Sequence, residues 1–410
     1  MCLRCPGTRA AVGRCQRPAA GRLSGGSRSG IPIVPGFSSP QRSARRSGPV
    51  FATDSIRHVV PNNAGGRVTD VMNESSPGES SREPRLERRG FLNVATAASL
   101  AIALPGVSTA AVRALRKPVR IGVIADLHHD VMHDGGERLD VFLEAMAVKR
   151  PDAIIQLGDF AYPQTKNRAI IERFNQAHEN SLHVIGNHDT DAGSTTAECI
   201  EMWGMPDRHY VKDIDGIRLL VLDGNDAGSP DHEGGYPRYV GPEQSAWLKT
   251  QLKEIDGPII VACHQPLAGP WAIDNAEEIQ ALLEAAADKV ILVINGHSHI
   301  DHVLRVRNVT HLHVNSASYQ WVGGDHRHES YSKEIHESHP WISCTCPYED
   351  ALFATLTVDP ATHQVRVEGT SSCWVGKSPA ELGSHKNPAL IHGEQIAPRI
   401  RDRRLVRVRD

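Results

Sequence analysis

Cysteine is too sparse and too unevenly placed to build this chain. Eight occur in 410 residues at irregular intervals. That excludes a disulfide-framed scaffold, and the lack of a second Cys pair excludes a zinc ribbon. Cys344, Cys346 and Cys373 lie close enough in sequence to suggest one disulfide among them. Acidic residues are missing from the first fifty positions, which carry nine arginines. The opposite holds for residues 111–410, with 30 Lys and Arg against 42 Asp and Glu, a net of −12. A net acidic folded part has no nucleic-acid footprint, since nonspecific binding of that kind needs a basic surface. What is plentiful is histidine: 21 of the 22 follow residue 110, and such a bias points to metal chemistry.

Residues 1–71 are rich in Arg, Gly, Ser and Pro and show no sustained apolar period. Such a composition cannot bury a core and is expected to be disordered. Next comes LERRGFLNVATAASLAIALPGVSTAA, with Arg88-Arg89 ahead of an apolar segment over 94–104 and small residues over 108–111. The stretch 72–111 resembles a twin-arginine signal peptide. Its apolar core is shorter than the ~20 residues of a membrane span. The resemblance implies the twin-arginine translocase as a partner and a bacterial periplasmic or cell-envelope address. Membrane anchoring follows only if the signal stays uncleaved. Because such signals lie near a start codon, Met72 reads as a better start than Met1.

The remainder alternates apolar runs with helical periods. Strands are expected over 119–125, 153–157, 182–185, 209–214, 217–222, 259–263, 290–294, 303–306, 310–314, 352–358 and 364–368. Helices are expected over 137–149, 169–177, 195–203, 242–255 and 276–287. Asp215-Gly216 is a hairpin turn signal, and Pro242 suits the first position of a helix. Alternation of this kind specifies a layered α/β domain, taken as 112–375, rather than a bundle or an all-β sandwich. A polar tail over 376–410 ends in RIRDRRLVRVRD and reads as solvated chain or an edge strand.

The ends of the strands carry the chemistry. The first ends in Asp126-Leu127-His128, the second in Gly158-Asp159 and the third in Gly186-Asn187-His188-Asp189. Two later ones end in His264 and in Gly296-His297-Ser298-His299. In layered α/β folds the carboxyl ends of strands form the rim where sites are built. Oxygen and imidazole donors without thiolate suit Mn, Fe or Zn. Asp126, His128 and His299 form one candidate donor set, and Asn187, His264 and His297 a second. Asp159, with two carboxylate oxygens, is suited to bridge them. Two metals ~3.5–4 Å apart activate a shared water and clamp an in-line displacement at phosphorus.

The set D-x-H, G-D, G-N-H-D, H, G-H-x-H, spread over 119–314, resembles the calcineurin-like metallophosphoesterase family. The resemblance implies a four-layer α/β/β/α sandwich with two metal ions and a small phosphoester as substrate. It implies His188 as the group that stabilises the transition state or protonates the leaving oxygen, and Asp189 as the carboxylate that orients it. His129 matches no ligand of the pattern. GDFAYP and GNHD differ from the protein-phosphatase versions and lie nearer the general phosphatase and cyclic-nucleotide phosphodiesterase branches. The expected activity is hydrolysis of phosphate monoesters or diesters, with cyclic-nucleotide or pyrophosphate hydrolysis, or a non-catalytic scaffold, as alternatives. Two irregular segments, 224–240 and 319–350, are long enough to be functional. The second is expected to cover the site, with Tyr319, Trp321 and Trp341 packing on substrate.

Overall fold

The computed structural model describes residues 111–112, 114–384 and 387–405; the signal-like segment lies outside the described residues. Its strands and helices, in chain order, begin with β1 (Val119–Ile124), α1 (Gly135–Lys149), β2 (Ala153–Gln156), α2 (Arg168–Ala177) and β3 (Ser181–His183). Next are α3 (Thr196–Trp203), β4 (Tyr210–Ile214), β5 (Ile217–Leu222), α4 (Pro242–Glu254), β6 (Ile259–Cys263) and α5 (Ala276–Glu284). The later elements are β7 (Val290–Asn295), β8 (His302–Val306), β9 (Val309–His313), β10 (Tyr319–Trp321), α6 (Lys333–Ser338) and β11 (Thr345–Pro347). Last come β12 (Ala354–Asp359), β13 (Gln364–Glu368) and β14 (Arg403–Arg404). Every strand and helix expected from the sequence is present, with ends moved by three residues at most.

Local chemistry explains several boundaries. Thr195 and Glu198 cap α3 reciprocally, each side chain taking the other's backbone N–H, and left-handed Gly204 ends the helix. Pro242 opens α4, where its missing N–H costs nothing. β1 and β2 are apolar on both faces because each is covered on both sides.

Six strands form one sheet in the order β14-β13-β12-β1-β2-β3, and six form another in the order β4-β5-β6-β7-β9-β8. In β5 and β6, Leu219, Val221, Ile260 and Ala262 join the cluster containing Ile121 and Val123 of β1. The alternate residues Leu220, Leu222, Ile259 and Val261 join Leu248 and Leu252 of α4 and Ile279 and Leu283 of α5. The period-two pattern thus sends one face of the sheet to the other sheet and one to helices. Phe142 of α1 and Phe174 of α2 stack on each other, 6.5 Å between centroids, and belong to the same large cluster as β1. The result is the expected four-layer α/β/β/α arrangement. Cutting one of these buried side chains to alanine costs about 2–5 kcal/mol.

Within the described residues the tail supplies β14, an edge strand on β13. The disulfide expected among Cys344, Cys346 and Cys373 does not form: no S–S bond joins any two of them. Cys344 instead lies 3.3 Å from Arg327 Nε. Among the described residues, no helix is long and apolar enough to cross a membrane.

Candidate metal centre

The loops after β1, β2, β3, β6 and β7 meet at one rim, where the backbone turns sharply to bring polar side chains together. Asp126, His128, Asp159, His297 and His299 all have φ between 47° and 63°. This left-handed region is uncommon for residues other than glycine and costs of order 1–3 kcal/mol each. Glycines allow the loops to close on one another. A Cβ at Gly296 would lie 2.5 Å from Asp126 Oδ2, and one at Gly186 would lie 2.2 Å from Asp159 Oδ1.

Two donor groups result. Asp126, His128 and His299 form one; Asp159, His264 and His297 form the other. Within each group the donor atoms lie within 4.8 Å of one another. Asn187 joins the second through its amide oxygen, 3.2 Å from His264 Nε2. Asp159 Oδ2 lies between the groups, 3.2 Å from His264 Nε2 and 3.6 Å from His128 Nε2. All seven donors expected from the sequence therefore converge.

The hydrogen bonds around this cluster fit metal ligation. His299 Nδ1 donates to the Tyr319 carbonyl at 2.7 Å, and His264 Nδ1 donates to the Leu157 carbonyl at 2.7 Å. These bonds leave both Nε2 atoms as lone-pair donors turned toward the cluster. There, His299 Nε2 is 3.2 Å from His128 Nε2 and 3.3 Å from Asp126 Oδ1. Electron pairs facing one another at such distances repel unless a cation lies among them. Electrostatics agree. Burial opposes charge on His264, yet Asp159 outweighs it and pushes the imidazole up to about 9. Burial holds His128 and His297 well below the ordinary histidine range, as neutral donors. The cluster attracts positive charge, and metal ions meet that demand while the imidazoles stay unprotonated.

His188 lies beside the first group, its ring 5.6 Å from that of His128. Its side chain is 30% exposed, so a substrate can reach it. Its backbone N–H donates to Asp159 Oδ1 at 2.8 Å. The carboxylate that orients its ring is Asp191, not Asp189: Asp191 Oδ2 is 2.8 Å from His188 Nδ1. Tyr236, from the 224–240 segment, donates its hydroxyl to the other oxygen of Asp191 at 2.8 Å and packs edge-on against His188. Burial opposes a charge on His188, but Asp159 and Asp191 prevail and raise its pKa. Asp189 points away into three backbone N–H groups, those of Asp159, Phe160 and Gly186, each at 2.8 Å. It pins two ligand loops together. The sequence signal for Asp191 was a carboxylate three residues past the histidine, within reach across one turn.

Tyr319 has a different place from the expected one. It is 2% exposed, stacks on His128 at 4.9 Å and accepts from His299 through its carbonyl. It supports ligands rather than offering a face to substrate. Trp321 and Trp341 are partly buried around Val131, Met132 and Ile342, and Arg327 lies over the Trp341 ring. His129 belongs to neither donor group.

Known proteins resemble this chain in part. A cAMP/cGMP dual specificity phosphodiesterase of Mycobacterium tuberculosis is 31% identical over 182 residues, 40% of this chain and 55% of that protein. The chain thus spans about half the length of that curated relative. A dimetal phosphatase from Danio rerio aligns with 63% of this chain and 98% of its own, at 15% identity and a TM-score of 0.45. GAP50 of Plasmodium aligns with 72% and 90%, at 15% identity and 0.46. The model of the calcineurin-like phosphoesterase family matches residues 119–301. That span opens with β1 and closes two residues past His299, so it encloses every candidate donor, and over these residues the chain is similar to the calcineurin-like phosphoesterase family.

Proposed function

We propose that the chain is a two-metal phosphoesterase that hydrolyses small phosphodiesters, with monoesters as poorer substrates. The observation that carries this is the pair of donor groups joined by Asp159, with a polarised, accessible His188 beside them. Asp126, His128 and His299 would hold one ion, and Asn187, His264 and His297 the other, with Asp159 between. When bound, the ions supply Lewis-acid charge at phosphorus and lower the pKa of a shared water.

The chain's own residues do the rest. Asp159 would neutralise part of the charge of both ions, and through Oδ1 it fixes the backbone of His188. His188, its pKa raised by Asp159 and Asp191, can face a bound phosphoryl group as an N–H donor. It can pass its proton to the departing oxygen as the bond to phosphorus breaks. Asp191 holds the ring in that orientation, and Tyr236 holds Asp191. Diester preference is supported by the 31% identical cyclic-nucleotide phosphodiesterase.

The test is a panel of bis(p-nitrophenyl) phosphate, p-nitrophenyl phosphate and cyclic nucleotides, assayed with Mn2+ beside elemental analysis. Turnover of the diester with about two ions per chain supports the reading; binding without turnover on any member refutes it. We also propose export by the twin-arginine route, on the sequence of 72–111 alone. Replacing Arg88 and Arg89 by lysine should retain the protein in the cytoplasm, and unchanged fractionation would overturn that address.

A further inference from the structure

We propose that the C-terminal strap, 395–404, is a positioning element for the first metal group. This rests on the two-ion reading above and adds a segment beyond the matched family span. Asp301, two residues after His299, is fully buried. Arg401 Nε reaches its Oδ2 at 2.7 Å, and Arg403 Nη1 reaches its Oδ1. The Asp301 N–H donates to the Gln395 carbonyl at 2.9 Å. One carboxylate is thus gripped by two guanidinium groups from a segment a hundred residues away, and the same loop carries His299.

A second line of bonds reaches the other side of the same group. The Asn315 amide donates to the carbonyls of Ala397 at 2.8 Å and Arg399 at 3.1 Å. Its oxygen accepts the Ser316 N–H at 2.9 Å, and the Ser316 hydroxyl donates to the Asp126 carbonyl at 2.8 Å. The strap therefore braces both His299 and Asp126. The second group shares this loop only through His297, whose N–H donates to Asp126 at 3.0 Å; its other donors are framed elsewhere, Asp159 N–H by Asp189 and His264 by the Leu157 carbonyl. Partners that orient ligands from behind typically change metal affinity by about 10–100-fold when removed. The strap should therefore tune one of the two affinities more than the other, as fold stability alone would not.

The experiment uses the full chain stripped of metal and titrated calorimetrically with Mn2+, with melting temperature of the stripped protein alongside. Arg401→Gln leaves Arg403 on Asp301; Asn315→Ala cuts the second line; Arg403→Lys retains a cation at that position but loses the guanidinium fork. Wild type should show two classes of site. Arg401→Gln and Asn315→Ala should weaken one class by about tenfold or more and the other by less than about threefold. Arg403→Lys should fall between them and wild type. His299→Ala, which removes a donor from the first group, identifies the weakened class. Equal weakening of both classes, or none, overturns the strap's role while leaving the two-ion reading intact. A wild-type chain that takes up a single ion overturns both.

Discussion

Substitution of Gly186 by alanine tests how tightly the ligand loops are set against one another. A Cβ there would lie 2.2 Å from Asp159 Oδ1 and 2.3 Å from Asp159 N, where real contacts essentially never fall below 3.0 Å. Gly186 does not have a positive φ, so the penalty is steric and not conformational. The second atom is backbone, held by Asp189, so no flexible side chain can yield. One loop must retreat by about 0.8 Å, and a close-packed interior transmits such a shift. Overpacking of this kind costs about 1–3 kcal/mol in stability. A displacement near 1 Å also costs about 10²-fold in rate, and here it falls on the residue between the two ions. Gly204→Ala is the control. It sits at φ +70° with nothing within 4 Å of the added carbon, so it costs about 1–2 kcal/mol of backbone strain and leaves the site alone. Mn2+ titration, steady-state kinetics and thermal melts on both variants separate the effects. If Gly186→Ala binds metal and turns over within about threefold of wild type, the loops are not set as described and the argument from displacement fails.

Three further outcomes follow from the same geometry. Asp191→Asn should keep its metals and lose about 10–100-fold in rate on substrates with poor leaving groups, within the range for acid–base catalysis, and less on nitrophenyl esters. Asp189→Ala should instead lose metal and stability together, because it strands three buried N–H groups. Buried His183, whose pKa burial lowers to about 3, stays neutral in the fold while the unfolded chain protonates near 6.5. Stability should therefore fall as pH drops from about 6.5 toward 3, with up to about 1.4 kcal/mol per pH unit from this group; denaturant midpoints should lose that component in His183→Phe.

Much of this was legible before the fold was known. Apolar runs ending in Asp, Asn or His mark strands whose carboxyl ends carry donors, and strand order is not needed to suspect that they meet. Asp191 was missed because the resemblance gave the orienting role to Asp189. At a tight turn, neighbouring side chains diverge, and the residue one turn on folds back. Tyr319 was misread because an aromatic in a polar segment suggests exposure, whereas β10 is buried beneath His128. The partners of Arg401 and Arg403 were invisible, since a basic run does not name its acid. Only the pairing of β14 with β13 brings them to Asp301.

The five left-handed residues also bear on how this centre can decay. That backbone conformation admits glycine freely and Asn, Asp and His with modest strain, but penalises β-branched side chains. Three of the tolerated types are themselves metal donors, so conformational permission and ligation coincide at 126, 128, 159, 297 and 299. Valine or threonine there would lose a ligand and strain the chain at once. Glycine would lose the ligand and relieve it. A gene copy released from catalytic selection should therefore shed this centre through glycine and asparagine first, and those letters at those five positions are the mark by which silent descendants would be recognised.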